Sequence, residues 1–331
     1  MTATPPLGNR MSGPREGEIP VVVVADPIDP AAIDRLRAGP CRLVDATAGP
    51  AALEAALPSA YAVIVRSRTK LTRERIASAP RLSLIARAGV GVDNIDVAAA
   101  TERHVRVVNA PEAATTSVAE LAIALYLSLV RGLVPAIEAT RAGNWDRTVR
   151  GRELAGKTVG FVGFGRIARA IAQRLEPFGV ERLAYDPYWP APVPSVRRVE
   201  FETLLRSSDI VSVHAALTPE NHHLLNAAAF AAMRESSYLV NLARGALVDE
   251  AALIAALDSG RIAGAALDVY EVEPPTNERL LRHPRVLPTP HLGASTIEGQ
   301  ARAGRLVVDD VLRDLRGEPL HGLVNPTARP A

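Results

Sequence analysis

The feature that most constrains the fold is a repeated alternation between short apolar stretches and amphipathic ones. The first series runs from VVVVAD (residues 21–26) to VRVVNAP (residues 105–111), and a second series starts at KTVGFVG (residues 157–163). Short apolar strands that alternate with helices form parallel sheets covered by helices on both faces. We therefore predict an α/β fold with two Rossmann-like domains, the second of which is six-stranded and doubly wound.

Length and composition agree with two ordinary domains. The chain has 331 residues, of which 48% are hydrophobic and 22% are charged, so it can bury two cores. The net charge is only +2 and like charges do not form long runs, which argues against a nucleic-acid partner. The longest apolar run, residues 121–130, is too short to cross a bilayer, so we expect no membrane partner.

The single cysteine, Cys41, excludes a disulfide framework. This fits the reducing cytoplasm, where we expect the protein to be. Residues 1–19 are rich in Pro, Gly and polar side chains, and they lack the apolar core of a signal peptide. We interpret them as a disordered tail.

Two nucleotide-binding motifs lie back to back in GRELAGKTVGFVGFGRIA, residues 151–168. Residues 151–158 match the phosphate loop of nucleoside triphosphatases, but such a loop must follow a strand and open a helix. Here the motif precedes a strand, so we reject that interpretation. Residues 163–168 match the dinucleotide loop G-x-G-x-x-A and do lie between a strand and a helix.

Each position of the second motif has a physical role. Gly163 permits the tight turn, Gly165 lets the backbone approach a pyrophosphate, and Ala168 is small enough for the helix to pack on the strand. Asp186 ends the next strand, where a carboxylate can hold both ribose hydroxyls and repel a 2′-phosphate. Together these residues predict a dinucleotide cofactor, and NAD in preference to NADP.

Polar side chains that follow the strands of the second series should converge, because open α/β sheets bind ligands beyond the carboxyl ends of their strands. These residues are Asp186, His214, Arg244, Asp268, Glu271, Glu273 and His291.

Three of them form a candidate catalytic set. His291 is a candidate proton donor, since histidine exchanges protons near neutral pH. Glu273 can hold the other ring nitrogen and fix its tautomer, and Arg244 can bind a carboxylate through two hydrogen bonds. Two alternatives remain open: Arg244 forms a structural ion pair with Asp249 or Glu250, or Glu273 is a solvated loop carboxylate.

The sequence predicts no metal site. His222-His223 and the acids of DVYEVE, residues 268–273, lack the spacing of known metal ligands. Nucleophilic catalysis is also unsupported, because no G-x-S-x-G motif and no Cys-His pairing is present.

Eight ordered motifs resemble the D-isomer-specific 2-hydroxyacid dehydrogenase family, and within it the short D-3-phosphoglycerate dehydrogenases. The matching stretches are VRSRTKLT (65–72), RAGVGVDNID (87–96), NAP with SVAEL (109–121), GFVGFGRIARAIA (160–172), YDPY (185–188), VNLARGALVDE (240–250), DVYEVEPP (268–275) and TPHLGAST (289–296). The resemblance covers about residues 20–325.

The resemblance implies functional residues. The family's catalytic Arg, Glu and His fall on Arg244, Glu273 and His291. It implies cofactor contacts at Gly163, Gly165, Arg166, Ile167, Asp186, Ala215, Leu242, Ala243, Asp268, Gly293 and Ala294, with the nicotinamide carboxamide near Asp268. On the substrate side it implies carboxylate binding by Arg66, Ser67, Val90 and Gly91.

The resemblance also implies the domain organisation. A discontinuous, flavodoxin-like substrate domain would comprise residues 20–108 and 299–331, and an NAD-binding Rossmann domain residues 109–298. In relatives the helix at 114–133 and the Trp145 arm form a homodimer contact. Because the chain ends near residue 331, feedback by serine through a C-terminal regulatory domain is not expected.

Three positions depart from the family's pattern. Ala114 stands where many members have Asn, Ala216 where Pro is usual, and Val90 where some have Thr. These differences concern the fine geometry of cofactor and substrate binding, not the reaction class.

We therefore expect an NAD-dependent oxidoreductase that transfers a hydride between nicotinamide and C2 of a D-2-hydroxy acid. Arg66, Arg68 and Lys70 alternate after a strand and could face a phosphate, which favours 3-phosphoglycerate. Glyoxylate, hydroxypyruvate or another 2-keto acid is the alternative substrate. A hypothesis of a different class is an NAD(H)-sensing binding protein, similar to the corepressor relatives.

Overall fold

A computed structural model describes residues 17–148, 150–189 and 193–326 of the chain. The tail that we interpret as disordered, residues 1–19, lies outside this part except for its last three residues. Among those three, Glu18 forms an ion pair with Arg81.

The first series of apolar stretches forms strands as predicted, because each is a run of mostly branched or aliphatic residues. Val21–Val24, for example, is buried along its whole length. In chain order the elements are β1 (Val21–Val24), α1 (Pro30–Arg37), β2 (Arg42–Asp45), α2 (Pro50–Ala56), β3 (Ala62–Val65), α3 (Arg73–Ala77), β4 (Leu84–Arg87), α4 (Val97–Glu102) and β5 (Arg106–Asn109).

The second series begins after two consecutive helices. In chain order its elements are α5 (Thr115–Arg131), α6 (Leu133–Arg141), β6 (Thr158–Val162), α7 (Arg166–Arg174), β7 (Glu181–Tyr185), β8 (Arg197–Arg198), α8 (Phe201–Ser207), β9 (Ile210–Val213), α9 (Ala227–Ala232), β10 (Tyr238–Asn241), α10 (Glu250–Asp258), β11 (Gly264–Leu267), α11 (Glu278–Leu281), β12 (Val286–Pro288) and α12 (Ile297–Leu315).

Two elements differ from the sequence prediction. The helix predicted over 114–133 ends at Arg131, and Gly132 adopts a left-handed conformation (φ 57°) that separates it from α6. The second sheet has seven strands, one more than the six that the sequence predicts. The seventh, β8, has two residues, both exposed, and pairs with β7 at the edge of the sheet. An exposed dipeptide carries no apolar signal, so the pattern could not reveal it.

Both sheets are parallel, and their strand orders confirm the predicted fold class. The first sheet has the order β2-β1-β3-β4-β5, which is the flavodoxin-like arrangement. The second has the order β12-β11-β10-β9-β6-β7-β8, which contains the doubly wound 3-2-1-4-5-6 arrangement. The strand order reverses between β1 and β3 in the first sheet and between β6 and β9 in the second, and ligands bind at such points.

The chain divides into two compact units. One, which we call the discontinuous unit, extends to Ala114 and resumes at Thr296; the other, the continuous unit, is Thr115–Ser295. These boundaries lie a few residues from the sequence-based ones at 108/109 and 298/299. Strands β1 and β3–β5 lie in buried apolar clusters of the discontinuous unit, and β6 and β9–β11 are buried in the continuous unit.

Within the described residues, no single helix has the length and apolar character needed to cross a membrane. Helices α5 and α6 meet that criterion only when taken together, and they are bent by 67° at their junction.

Candidate active site

The loop after β6 has the geometry of a dinucleotide loop. Gly163 has φ 86°, a conformation that side chains disfavour. A Cβ at this position would lie 2.5 Å from the N atom of Ala215, so the residue must be glycine for the loop to pack against the end of β9. The predicted residues Gly163 and Ala215 therefore meet where the strand order of the second sheet reverses.

The next glycine leaves open space at the start of α7. A Cβ on Gly165 would have no atom within 4 Å, so the backbone is accessible to a ligand. Gly165 is the N-cap residue of α7, and Arg166 and Ile167 are its first two residues. The N–H groups and dipole of a helix N-terminus favour a negatively charged group such as pyrophosphate. Ala168 is fully buried, as its packing role requires.

Asp186 follows β7 and is fixed by two backbone groups. Phe164 N–H donates to its Oδ2 at 2.7 Å, and Tyr188 N–H donates to its Oδ1 at 2.8 Å. Each oxygen keeps a second lone pair, so the carboxylate can still accept hydrogen bonds from two ribose hydroxyls. The open Gly165 backbone and this fixed carboxylate fit a dinucleotide.

The rejected phosphate-loop interpretation is also inconsistent with the hydrogen bonds of residues 151–158. Gly156 N–H donates to Gly179 O, and Lys157 N–H donates to Leu154 O. Thr158 then enters β6, which lies between β7 and β9 in the sheet. These N–H groups already have partners within the protein and do not surround a phosphate site.

The histidine and glutamate predicted to act together are in contact. Glu273 Oε2 lies 2.8 Å from Nδ1 of His291, so Nδ1–H donates to the carboxylate and Nε2 is the nitrogen that can exchange a proton. Glu273 is itself held by Tyr270 N–H, which donates to Oε1 at 3.2 Å. The side chain of His291 is 54% exposed, so a substrate can reach it.

Asp268 holds the loop that carries His291. Its carboxylate is buried (1% exposed) and accepts hydrogen bonds from Leu292 N–H at 2.7 Å and Gly293 N–H at 2.8 Å. Thr289 Oγ1 donates a third, at 2.6 Å. Asp268, which the family resemblance places near the nicotinamide carboxamide, thus also fixes the backbone on both sides of His291.

The loop that carries Arg244 follows β10 and is shaped by a fully buried asparagine. Asn241 accepts a hydrogen bond from Ala243 N–H and donates one to Arg244 O. Gly245 packs directly on the backbone of Tyr270 and Glu271, where any Cβ would overlap with those atoms. This close approach brings the Arg244 loop beside the loop that contains Glu273.

Two alternatives were left open by the sequence: an ion pair of Arg244 with Asp249 or Glu250, and a solvated Glu273. Asp249 caps α10 by accepting from Ala252 N–H. Glu250 accepts from Glu271 N–H and donates its own N–H to Glu271 Oε1. Glu273 contacts His291 and keeps a side chain that is 38% exposed. The partner of the Arg244 side chain stays a prediction.

His214, another strand-end candidate, is not suited to proton transfer. Tyr126 O–H donates to Ser212 Oγ at 2.6 Å, and Ser212 Oγ lies 2.8 Å from His214 Nε2. Burial lowers the pKa of His214 to about 3, since a buried imidazolium loses its hydration. The ring is therefore neutral at physiological pH.

The remaining predicted cofactor residues of the continuous unit also follow strands. Ala215 follows β9, Leu242 and Ala243 follow β10, Asp268 follows β11, and Gly293 and Ala294 lie in the loop after β12. The structure thus brings the predicted cofactor and catalytic residues of this unit to the carboxyl edge of one sheet.

The predicted substrate residues belong to the discontinuous unit. Arg66 and Ser67 follow β3, and Val90 and Gly91 follow β4. The expectation that three cations face one phosphate stays a prediction; Arg68 Nε donates to the buried carboxylate of Asp26 at 3.1 Å while its side chain remains 59% exposed. Sequence reasoning missed Asp26, although its position directly after β1 was a usable signal.

Comparison with known proteins identifies the family. The family model of the D-isomer specific 2-hydroxyacid dehydrogenase NAD binding domain matches residues 123–293. The D-3-phosphoglycerate dehydrogenase of Methanocaldococcus jannaschii is 44% identical over 81% of this chain, and the match covers 52% of that protein. The hydroxypyruvate reductase of Thermotoga maritima is 42% identical over 78% of this chain and 86% of its own length.

A solved structure agrees. The glyoxylate reductase from Paecilomyes thermophila superimposes with a TM-score of 0.86 at 31% identity, over 94% of this chain and 99% of that one. The chain spans about half the length of the D-3-phosphoglycerate dehydrogenase that it matches, and most of the length of the two reductases. The chain belongs to the D-isomer specific 2-hydroxyacid dehydrogenase family and contains that family's NAD binding domain.

Proposed function

We propose that the protein is an NAD-dependent dehydrogenase that interconverts a D-2-hydroxy acid and its 2-keto acid. The observation that carries this proposal is the 2.8 Å contact between His291 and Glu273, beside the Arg244 loop and on the same sheet edge as the dinucleotide loop. We assign residues 109–298, which include the whole continuous unit, to the cofactor. We assign residues 20–108 and 299–331, which make up most of the discontinuous unit, to the substrate.

Each of the three side chains has a distinct task. When bound, the nicotinamide accepts the hydride from C2 of the substrate or returns it. His291 Nε2 takes the hydroxyl proton during oxidation and gives it back during reduction. Glu273 fixes the ring tautomer and stabilises the imidazolium that forms. Arg244 binds the substrate carboxylate and polarises the C2 oxygen through its planar set of donors.

Asp186 is the residue that we expect to choose the cofactor. Its carboxylate, fixed by Phe164 N–H and Tyr188 N–H, can accept from the ribose hydroxyls and repels a 2′-phosphate. NAD is therefore the preferred cofactor in this proposal.

The best-supported substrate is 3-phosphoglycerate, converted to 3-phosphohydroxypyruvate in serine biosynthesis. Curated relatives named D-3-phosphoglycerate dehydrogenase are 42–44% identical to this chain, and Lys70 is an exposed cation four residues after Arg66. Hydroxypyruvate or glyoxylate is the alternative, favoured by the reductase whose length is 86% covered and by the engagement of Arg68 with Asp26. A panel of 2-hydroxy acids with and without phosphate distinguishes them.

The protein is proposed to act as a cytoplasmic homodimer. Helix α6 and the segment after it expose the apolar side chains of Leu133, Val134, Ile137 and Trp145, and such a patch is typical of an association surface. Light scattering after size exclusion tests this: we expect the mass of a dimer for the wild type and of a monomer for Ile137→Asp.

The decisive test of the reaction is His291→Ala, assayed in both directions with NAD(H). General acid–base catalysis contributes ~10²–10⁴-fold, so we expect a loss of kcat in this range. Activity within about tenfold of the wild type would refute the assignment. Tight NADH binding by a wild type that turns over no hydroxy acid would instead favour an NAD(H)-sensing binding protein.

A further inference from the structure

The discontinuous unit contains a buried acid that the proposed chemistry does not use. Asp26 directly follows β1, at the point where the strand order of the first sheet reverses, and is 1% exposed. Its carboxylate accepts four hydrogen bonds, all from the loop after β3. The donors are Arg66 N–H at 2.7 Å, Thr69 N–H at 3.1 Å, Thr69 Oγ1 at 2.7 Å and Arg68 Nε at 3.1 Å.

These bonds keep the buried carboxylate ionised. Burial acts to raise the pKa of Asp26, but the hydrogen bonds from Arg66, Thr69 and Arg68 outweigh it and hold the pKa below its usual value. Hydrogen bonds to an ionised acceptor are stronger than neutral ones. Asp26 therefore fixes both ends of the segment 66–69 at neutral pH.

A second side chain fixes the same segment through its carbonyl groups. Asn94 Nδ2 donates to Arg66 O at 2.8 Å and to Thr69 O at 2.6 Å. Asp26 thus binds the N–H groups, and Asn94 the carbonyl oxygens, of the first and last residues. The two middle residues, Ser67 and Arg68, are exposed.

The middle of the segment presents donors without protein acceptors. Among residues 17–148, 150–189 and 193–326, the N–H groups of Ser67 and Arg68 have no hydrogen-bond acceptor. Consecutive backbone N–H groups of this kind bind anions. Because Val65 and Arg87 are partners in the ladder of β3 and β4, the neighbouring loop begins at the same level of the sheet, and Asn109 Nδ2 fixes it by donating to Val90 O.

The guanidinium of Arg68 has acceptors within the protein, although the side chain is 59% exposed. Besides Asp26, it donates from Nη2 to Ala25 O at 3.3 Å and to Thr47 O at 3.0 Å. Its charge lies against the buried acid, so the anion recognition proposed here relies on the backbone N–H groups of this loop.

The family resemblance already implies carboxylate binding at Arg66 and Ser67. We propose that Asp26 and Asn94 are the positioning residues of this loop, which hold it so that the N–H groups of Ser67 and Arg68 form a backbone subsite for that carboxylate. This inference rests on the proposed function for the identity of the anion. Asp26 itself does not touch the substrate; it holds the loop in the conformation that exposes the two N–H groups.

The kinetic test compares two buried aspartates of the same unit. In Asp26→Asn the new NH₂ group faces donors, so the loop loses its fixed shape. We expect KM for the hydroxy acid to rise ~10–100-fold while kcat and the Kd of NADH stay within about threefold. The control is Asp314→Asn. Asp314 is equally buried, but it binds Tyr61 and Arg106, which lie at the amino-terminal ends of β3 and β5. It should lower stability without changing KM.

A graded pair of variants separates the lost hydrogen bond from general damage. Thr69→Ser keeps the hydroxyl that donates to Asp26 and should leave KM within about twofold, whereas Thr69→Val removes it and should raise KM several-fold. A KM for Asp26→Asn within about threefold of the wild type overturns the proposal.

A binding experiment makes the result independent of turnover. Oxalate, a non-reacting analogue of a 2-keto acid, is titrated into protein labelled with ¹⁵N-serine, and the Ser67 amide signal is assigned with Ser67→Ala. We expect the signal to shift in the wild type and in Asp314→Asn but not in Asp26→Asn. No shift in the wild type, or an equal shift in Asp26→Asn, overturns the subsite. A shift in a wild type without dehydrogenase activity preserves the subsite and refutes the proposed function.

Discussion

The loops at the carboxyl edges of the two sheets carry different functional groups. At the carboxyl edge of the continuous unit, ionisable side chains face outward, and His291 and Glu273 are 54% and 38% exposed. At the corresponding edge of the discontinuous unit, Asp26 is 1% exposed and accepts from the N–H groups of Arg66 and Thr69, just as the buried Asp268 fixes the His291 loop. Each unit thus uses a buried aspartate to fix a loop, and the continuous unit adds an exposed His–Glu pair; we propose proton transfer for that pair and anion recognition for the loop of the discontinuous unit.

The physical reason lies in what each task requires. Proton transfer needs a side chain that changes its protonation state and a partner that fixes its tautomer. Recognition of a carboxylate needs fixed donors, which backbone N–H groups supply without the entropy cost of a long side chain. A buried carboxylate is then useful beneath the loop, because it binds several N–H groups at once.

The largest loss of stability and activity is expected from a substitution at Gly245, where two backbone segments of the continuous unit are in contact. Gly245→Ala places a Cβ on the backbone of Tyr270 and Glu271, and a rotamer change cannot relieve such an overlap. We expect the free energy of unfolding in urea to fall by about 2–4 kcal/mol. We also expect kcat/KM to fall more than ~100-fold, because the Arg244 loop must move.

The matched control is Gly165→Ala, whose Cβ would lie in open space. It should change the free energy of unfolding by less than about 1 kcal/mol, while NADH binds more weakly because the methyl group occupies the pyrophosphate position. A Gly245→Ala protein as stable and active as the wild type would show that contact between these two backbones does not hold the Arg244 loop in place.

The next effect tests whether charge or only hydrogen bonding links Glu273 to His291. Glu273→Gln retains an acceptor for Nδ1–H but removes the charge that stabilises the imidazolium, so we expect kcat to fall ~10–100-fold. The comparison variant is Glu271→Gln, two residues earlier, whose carboxylate binds Glu250 N–H. Steady-state assays should show less than about a threefold change there; equal losses in both variants would indicate loop damage instead of catalysis.

Acid should weaken the continuous unit at a higher pH than the discontinuous one. The pKa of His214 is lowered to about 3 from 6.5, so the unfolded chain binds a proton more readily than the folded one. The contribution of His214 is therefore complete above pH 6.5 and is lost as pH falls from there, by up to ~1.4 kcal/mol per pH unit. Asp26, with its pKa below the ordinary 3.8, loses its contribution only in stronger acid.

Urea unfolding at pH 7.5, 6.5 and 5.5 measures this difference. We expect the wild type to lose stability faster than His214→Asn as the pH falls. The control, His104→Asn, replaces an exposed histidine with φ 58°, which Asn tolerates, and should shift stability equally at every pH. Parallel curves for the wild type and His214→Asn would contradict the prediction.

The smallest effect concerns the exposed cation of the discontinuous unit. Lys70→Ala should raise KM for 3-phosphoglycerate about 3–5-fold and leave KM for glycerate unchanged, because an exposed charge contributes up to ~1 kcal/mol. The effect should disappear at high salt. Arg37→Ala, which removes an exposed partner of Asp34 on α1, serves as the control. Equal KM changes for both acids would exclude Lys70 from phosphate recognition.

Much of the fold could be predicted from the sequence because its signals are local. Most strands of three or more residues are apolar runs in the sequence. The strand–loop–helix context of Gly163 was enough to choose between the two adjacent nucleotide motifs without tertiary information. The exposed pair Arg197–Arg198 could not be found, since it lacks an apolar pattern and forms a strand only because β7 provides an edge. The helix break at Gly132 could not be predicted either, because glycine also occurs within helices.

Some features of the candidate site could likewise be predicted from the sequence, and others could not. The positions of Glu273 and His291 after strands were enough to predict that they act together, because parallel strands bring their carboxyl ends to one edge. The role of Gly245 could not be predicted, since the backbone it packs against belongs to Tyr270 and Glu271, distant in the sequence. The contact of Arg68 with Asp26 could not be predicted for the same reason: Asp26 follows β1, distant in the sequence.

The sequence by itself determined the parallel α/β architecture, the dinucleotide loop and the identity of the side chains at the strand ends, since these depend on periodicity and on residue type. Only the tertiary structure decided which charges face outward and which are paired inside, because pairing depends on distances between residues far apart in the chain. It placed Glu273 against His291 and Asp26 against Arg68, two contacts that no local sequence pattern specifies.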